Sequence, residues 1–183
     1  NITCFDYFKS EAFQIKNAYI TAEAAVAIAM NNIGKTVRGS RFAVTGYGRI
    51  SKQLTKLLCG FGANVTVLAR KESDLAFAAL DGCGTISLSG DKDRAVGELW
   101  RDYDVIFNTV PSLIFGRAFL ERVDKDVLII ELASAPGGFD VSAARDLGSR
   151  VLWASALPGK YAPQSAGELI AECVEKILCE EGG

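Results

Sequence analysis

The sequence predicts an α/β fold in which a doubly wound parallel sheet is covered by helices on both faces. Apolar runs alternate regularly with helical patterns along the chain, and a glycine-rich turn joins the first run to a helix. The run at 127–133 shows no alternation of polar and apolar residues. Such continuous apolar runs are typical of parallel strands that are buried on both faces.

The strands and helices are predicted in chain order. Strands are expected at 41–46, 63–69, 85–88, 104–109, 127–132 and 150–154. Helices are expected at 49–60, 72–81, 92–101, 115–122 and 140–147. Two long helices flank this core, one that begins with Thr21 as its N-cap and one from about Pro163 to Glu180. Right-handed crossovers then predict the strand order 3-2-1-4-5-6.

Composition excludes several classes of function. The 183 residues suit one domain, and the net charge of −2 comes without the basic patch that nucleic-acid binding requires. The apolar runs are shorter than the roughly 18 residues of a membrane span. There is no histidine, and the five cysteines form no CxxC pair. We therefore expect a cytoplasmic protein with reduced thiols and no metal site.

The turn after the first strand predicts a phosphate-binding site. Gly46 allows a tight turn, and Gly48 lets the backbone approach a pyrophosphate, which the N-terminus of the next helix stabilises. The third glycine of the usual pattern is replaced by Ser51, which is small enough for close packing. A purely structural turn is the alternative. The predicted contacts of a dinucleotide here are Gly46, Tyr47, Gly48, Arg49 and Ile50.

The end of the second strand indicates which dinucleotide is bound. NAD-binding units place an acidic residue there to bind the ribose hydroxyls, whereas this chain carries Arg70, 24 residues after Gly46. A guanidinium suits the 2′-phosphate of NADP, and Lys71 and Ser73 add to it. A solvated basic strand end is the alternative. The sequence therefore predicts NADP rather than NAD.

Three loops after the later strands are expected at the same rim of the sheet, where open α/β sheets bind ligands. Each of them contains proline or glycine and could be a simple turn. Together they predict a shared cleft. We expect cofactor contacts from Asn108, Thr109, Val110, Pro111, Ala133 and Ser134.

Several short segments resemble one family when they are taken in order. They are Gly-Tyr-Gly-Arg-Ile, Ala-Arg-Lys, Ile-Phe-Asn-Thr-Val-Pro, Glu-Leu-Ala-Ser-Ala-Pro-Gly-Gly and Leu-Pro-Gly-Lys-Tyr-Ala-Pro-Gln-Ser-Ala-Gly. Asp-Tyr-Phe and Thr-Ala-Glu-Ala-Ala precede them. Over nearly the whole chain they resemble the A subunits of dipicolinate synthase from spore-forming bacteria.

The resemblance implies an oxidoreductase that forms dipicolinate, pyridine-2,6-dicarboxylate, during sporulation. Its substrate would be dihydrodipicolinate or the hydrated precursor, its cofactor NADP, and its partner a flavoprotein-like B subunit, with a homo-oligomer also possible. Residues 1–20 would be the tail of an N-terminal domain, and residues 21–183 the dinucleotide-binding domain with its linking helices. This domain alone is expected to be inactive.

A dicarboxylate substrate needs cationic or N–H partners. Lys160 and the amides of Gly137 and Gly138 are candidates, whereas Arg49 is expected to face the cofactor phosphates. No catalytic base is assigned, because Glu131 lies inside a strand pattern and Asp140 is as good a helix N-cap. The predicted substrate contacts are Gly137, Gly138, Pro158, Gly159 and Lys160. A non-catalytic NADP(H)-binding regulatory module is the alternative function, since fold alone does not separate the two.

Overall fold

One six-stranded parallel sheet forms the centre of the computed structural model, which describes residues 5–90 and 102–181. Its strands are β1 Arg41–Thr45, β2 Asn64–Ala69, β3 Gly84–Ser87, β4 Val105–Asn108, β5 Leu128–Glu131 and β6 Val151–Trp153. Every neighbouring pair is parallel, in the order β3-β2-β1-β4-β5-β6. The predicted fold class and strand order are confirmed, and each predicted strand end lies within one residue of the observed one.

Helices cover both faces of this sheet. They are α1 Glu11–Ile33, α2 Arg49–Gly60, α3 Glu72–Leu80, α4 Arg117–Leu120, α5 Val141–Leu147, α6 Leu157–Tyr161 and α7 Pro163–Glu181. The bounds of α2 are those predicted, α4 is shorter than its prediction, and the helix predicted at 92–101 lies outside the described residues. Across 5–90 and 102–181, none of the helices has the length and apolar character that a membrane span requires.

The strands are apolar throughout because both faces of the sheet are covered. Phe42 and Val44 of β1 pack in a cluster with α1 and α2, whereas Ala43 between them packs in the cluster on the opposite face. The rings of Phe42 and Phe107 stack within the first cluster with centroids 6.0 Å apart. Burial on both faces fixes the register of the strands, since a slip by one residue would exchange the two sets of side chains.

The predicted start of the first helix is wrong. Its N-cap is Ser10, whose hydroxyl accepts a hydrogen bond from the amide of Phe13 at 3.3 Å, and Thr21 is a buried residue in the interior of α1. The Thr21 hydroxyl donates to the carbonyl of Asn17 at 2.9 Å, which is a common arrangement within a helix. The predicted domain boundary at residue 20 therefore falls inside α1. A further N-terminal domain stays a prediction.

Candidate functional site

The glycine turn after β1 has the geometry that an anion site needs. Gly46 has φ 80°, and a Cβ there would lie 2.9 Å from side-chain atoms of both Thr109 and Val110. Gly48 is the N-cap of α2 and forms no side-chain cap, and a Cβ on it would have no atom within 4 Å. The space at the N-terminus of α2 is therefore open, as the binding of a pyrophosphate requires.

Ser51 occupies the position of the missing third glycine and is fully buried. Its hydroxyl lies 2.8 Å from that of Thr109, which itself donates to the carbonyl of Thr45 at 2.7 Å. Since the Thr109 proton is used, Ser51 must be the donor of the pair. The serine thus keeps the close packing of helix and strand and adds a hydrogen bond between α2 and the loop after β4.

Tyr47, between the two glycines, points into the protein rather than toward solvent. The residue is only 4% exposed, and its hydroxyl donates a hydrogen bond to a carboxylate oxygen of Asp81 at the end of α3. Burial and this carboxylate raise the pKa of Tyr47, so the phenol stays a neutral donor. The contact anchors the glycine turn to the next helix.

A first cavity, of about 460 Å³, lies on the β2 side of the glycine turn. Arg70 and Lys71 line it together with the backbone of the turn, so the predicted cations do share a cavity with the glycines. Ser73 lies in the first turn of α3 and is exposed, outside the residues that line this cavity. The arrangement offers positive charge at the end of β2, where the adenosine half of a dinucleotide is bound in this fold.

A second cavity, of about 540 Å³, lies on the β4–β5 side of the turn. The predicted residues Ile50, Thr109, Pro111, Ala133 and Ser134 line it. The start of α1 supplies lining residues that sequence reasoning missed, namely Phe13, Gln14, Asn17 and Ala18. The sequence does contain a signal for these residues: Ser10 followed by Glu11 is typical of a helix start, and it places the beginning of α1 ten residues before Thr21.

Arg49 borders the second cavity, but its side chain is paired within the molecule. The guanidinium donates from Nε and Nη2 to the two carboxylate oxygens of Glu11, at 2.8 and 2.5 Å. Both side chains are about half exposed or more. A phosphate would therefore meet this guanidinium only in competition with Glu11.

A buried polar network lies behind the wall of the second cavity. The Asn108 amide donates to both carboxylate oxygens of Glu131 at 2.7 and 2.9 Å, and its carbonyl oxygen accepts from the Thr45 hydroxyl at 2.5 Å and the Val110 amide at 3.2 Å. Asn108 and Glu131 are both fully buried. The prediction that Asn108 contacts the cofactor therefore does not fit this structure, because its amide is enclosed and engaged.

The diglycine after β5 faces this network rather than a ligand. The amide of Gly138 donates to Glu131 Oε2 at 2.8 Å, and that of Gly137 donates to the carbonyl of Ser134 at 2.9 Å. A Cβ on Gly137 would lie 2.7 Å from the ring of Trp153, and one on Gly138 would overlap the amide of Asn108. These glycines are thus required by packing, and their amides are not available to a substrate carboxylate.

The third predicted loop is largely a short helix. Pro158, Gly159 and Lys160 belong to α6, which is anchored by the buried side chain of Leu157. Lys160 is exposed and lines neither of the two cavities. The structure therefore brings together the residues after β1, β2, β4 and β5, and it leaves those of α6 apart.

Comparison with known proteins agrees with this geometry. The family described as "D-isomer specific 2-hydroxyacid dehydrogenase, NAD binding domain" matches residues 14–136. The match indicates a nicotinamide dinucleotide as the cofactor and a dehydrogenase-like role. The A subunit of dipicolinate synthase from Bacillus subtilis (strain 168) is 34% identical over 173 residues, which are 94% of this chain and 57% of that protein. The chain thus spans just over half the length of that relative.

Solved structures give the same picture. The A subunit of dipicolinate synthase from Bacillus halodurans matches with a TM-score of 0.86 and 32% identity, over 93% of this chain and 57% of that one. Its counterpart from Bacillus subtilis matches with 0.87 and 33%, over 94% and 56%. A transhydrogenase from Sinorhizobium meliloti matches with 0.76 and 17%, over 91% and 55%, which shows the shared fold alone. The resemblance seen in the sequence motifs is confirmed.

Proposed function

Because the chain belongs to the family of D-isomer-specific 2-hydroxyacid dehydrogenase NAD-binding domains, we propose that it is the NADP-binding part of an oxidoreductase subunit that forms dipicolinate. The observation that carries this proposal is the position of the open α2 N-terminus between the two cavities, where β1 lies beside β4 and the strand order reverses. Open α/β sheets bind their ligands at this switch point.

The choice of NADP rests on Arg70. Its position in the first cavity, beside Lys71 and the glycine turn, supplies a charged partner for a 2′-phosphate. One charge-assisted hydrogen bond corresponds to roughly tenfold to a hundredfold in affinity. An acidic residue, which would accept hydrogen bonds from the ribose hydroxyls of NAD, is replaced here by a guanidinium.

Titration of NADPH and NADH by calorimetry tests this choice. We expect NADPH to bind at least about tenfold more tightly than NADH, and Arg70→Ala to reduce the affinity for NADPH alone. Arg145→Ala is the matched control, because Arg145 is exposed on α5 and lines neither cavity. Equal affinities of the wild type for the two nucleotides would remove the role of Arg70.

The substrate is proposed to be dihydrodipicolinate or its hydrated precursor, and the partner a flavoprotein-like B subunit. The relatives are named as the A subunit of a dipicolinate synthase, which supports the product and the multi-subunit assembly. The bound nicotinamide would supply the hydride acceptor. The residues that hold the two substrate carboxylates and remove the proton are proposed to lie in an N-terminal domain, since the amides of Gly137 and Gly138 are engaged here.

Turnover assays test this part of the proposal. Residues 1–183 alone should bind NADPH and convert no substrate, because the reacting atoms must be held within roughly 3–3.5 Å of each other by both walls of a cleft. A chain that includes the proposed N-terminal domain, together with the B subunit, should form dipicolinate linked to NADP. Substrate conversion by these 183 residues alone would contradict the division of the site between two domains.

A further inference from the structure

Glu131 is a buried carboxylate that the proposed function has not yet used. It is the last residue of β5 and is fully buried, at the same rim as the two cavities. Its Oε1 accepts hydrogen bonds from the Ala133 amide at 2.9 Å and from Asn108 at 2.7 Å. Its Oε2 accepts from the Gly138 amide at 2.8 Å and from the same side chain at 2.9 Å.

This arrangement is built for the ionised form of the carboxyl group. The Val110 N–H can only donate, so it fixes the oxygen of Asn108 on its own side, and the NH₂ group donates to Glu131 and, at 3.0 Å, to the Val110 carbonyl. Each carboxylate oxygen therefore faces N–H donors, and the described contacts include no acceptor for a carboxyl proton. Burial raises the pKa of Glu131, and these same N–H donors lower it in part.

The charge has no neutralising partner in the part of the chain that the structure describes. None of the ion pairs formed by residues 5–90 and 102–181 includes Glu131. Its hydrogen bonds offset the cost of burying this carboxylate only in part, so a buried charge without an opposite charge beside a ligand cavity is a candidate for a role in binding.

The carboxylate lies directly behind the wall of the second cavity. Ala133, whose amide it binds, lines that cavity, and so does Thr109, the residue after Asn108. The cations of the first cavity mark the adenosine end of the nucleotide, so the second cavity receives the nicotinamide end. Only this end changes charge with the redox state, since the oxidised nicotinamide ring carries a positive charge and the reduced ring is neutral.

We propose that Glu131 is a specificity-determining residue for the redox state of the cofactor: its negative charge stabilises the cationic ring of NADP⁺ relative to the neutral ring of NADPH. The inference rests on the proposed function, which needs the oxidised form as hydride acceptor. Because the charge acts through the low-dielectric wall rather than through water, its effect on a cation in the cavity is weakly screened.

The test is the ratio of the dissociation constants for NADP⁺ and NADPH. Glu131→Gln removes the charge and keeps the shape, and it should raise this ratio about tenfold. Glu131→Asp keeps the charge and should leave the ratio within about twofold of wild type, even if both affinities fall. Asp140→Asn is the matched control, since Asp140 is a partly exposed N-cap on the same loop. A purely structural role would change both constants equally and leave the ratio unchanged, which would overturn the inference.

Wild-type protein gives an independent test that needs no folded variant. Burial holds the pKa of Glu131 above 4.5, so at about pH 4.5 most of this carboxyl is protonated. The ratio should therefore rise as the pH falls from neutral to about 4.5, and a constant ratio would overturn the inference. The described contacts of the carboxylate come from Asn108 and two peptide amides, none of which titrates in this pH range. The 2′-phosphate does titrate, but it does so in both nucleotides alike and therefore leaves the ratio unchanged. A wild type that binds neither nucleotide would overturn the proposed function as well.

Discussion

Gly48, after β1, and the Gly137-Gly138 pair, after β5, lie at the same rim of the sheet and are required for opposite reasons. Gly46 and Gly48 follow β1, and a Cβ on Gly48 would enter open space at the start of α2. Gly137 and Gly138 follow β5, and a Cβ on either would enter the side chains of the interior, among them Asn108. Gly48 thus leaves room for a ligand outside the domain, whereas Gly137 and Gly138 leave room for a buried polar network inside it.

This difference limits what glycine spacing can predict. Both pairs follow a buried strand, and both end at a rim where ligands bind, so their sequence context is similar. They differ in the residues that an added Cβ would meet, and the strand register determines which residues those are. Asn108 and Glu131 are aligned across β4 and β5 although 23 residues separate them.

Gly48→Val should have the largest effect, and the effect should be on binding alone. Because nothing lies within 4 Å of the added Cβ and the residue has φ −85°, the fold should tolerate valine. The valine side chain would occupy the approach of the pyrophosphate and weaken NADPH binding at least about a hundredfold, or ~2.8 kcal/mol. Calorimetry gives the affinity and a thermal melt gives the stability. Normal binding by a folded variant would place the nucleotide elsewhere.

Gly138→Ala should show the opposite pattern, a loss of stability. The added Cβ overlaps the Asn108 amide, which must move away from Glu131, and such overpacking costs about 1–3 kcal/mol. Gly159→Ala is the matched control, since its Cβ would meet nothing within 4 Å on α6. Denaturant unfolding measures both variants. Equal stabilities would mean that the buried network adapts without cost.

Much of the fold could be predicted from the sequence, because its signals are local. Continuous apolar runs mark β1, β4 and β5, and an amphipathic pattern gives α2 its bounds. The true start of α1 was not predicted. Its alanine-rich middle is buried on several sides, so the apolar residues of the helix show little periodicity from which its full length could be inferred. Residues 1–20, which include the start of α1, were therefore predicted to be the tail of another domain.

The candidate site likewise has residues whose position the sequence predicts and residues whose contacts it does not. Gly48 and Arg70 were predicted from motif spacing, and the structure places both beside one cavity. The pairing of Glu11 with Arg49 and the enclosure of Asn108 depend on contacts between segments distant in sequence. Motif spacing contains no information on such contacts, so Arg49 and Asn108 were predicted to contact the cofactor.

Ser51→Ala should have a smaller effect than Gly138→Ala and should again concern stability. The variant loses the hydrogen bond to Thr109, which keeps its own bond to the Thr45 carbonyl, so the expected cost is about 0.5–1.5 kcal/mol. Ser165→Ala, exposed on α7, should change the stability by less than about 0.5 kcal/mol. If both variants unfold at the same denaturant concentration, the buried hydroxyl contributes nothing.

Glu11→Gln should have the smallest effect and should act on binding. The carboxylate holds the Arg49 guanidinium at 2.8 and 2.5 Å beside the second cavity, so its removal frees this cation for a phosphate. Because exposed ion pairs are weak, the gain in NADPH affinity should not exceed about fivefold. Hydrogen bonding to Arg49 lowers the pKa of Glu11, so most of this carboxyl is already charged at pH 4.5, its ordinary pKa. The difference in NADPH affinity between variant and wild type should therefore be present above that pH and disappear as the pH falls through the lowered pKa.

The control for Glu11→Gln is the same substitution in an Arg49→Ala background, where it should leave the NADPH affinity unchanged. Weaker binding by Glu11→Gln alone would show that Glu11 positions Arg49 for the phosphate rather than competing with the phosphate for it.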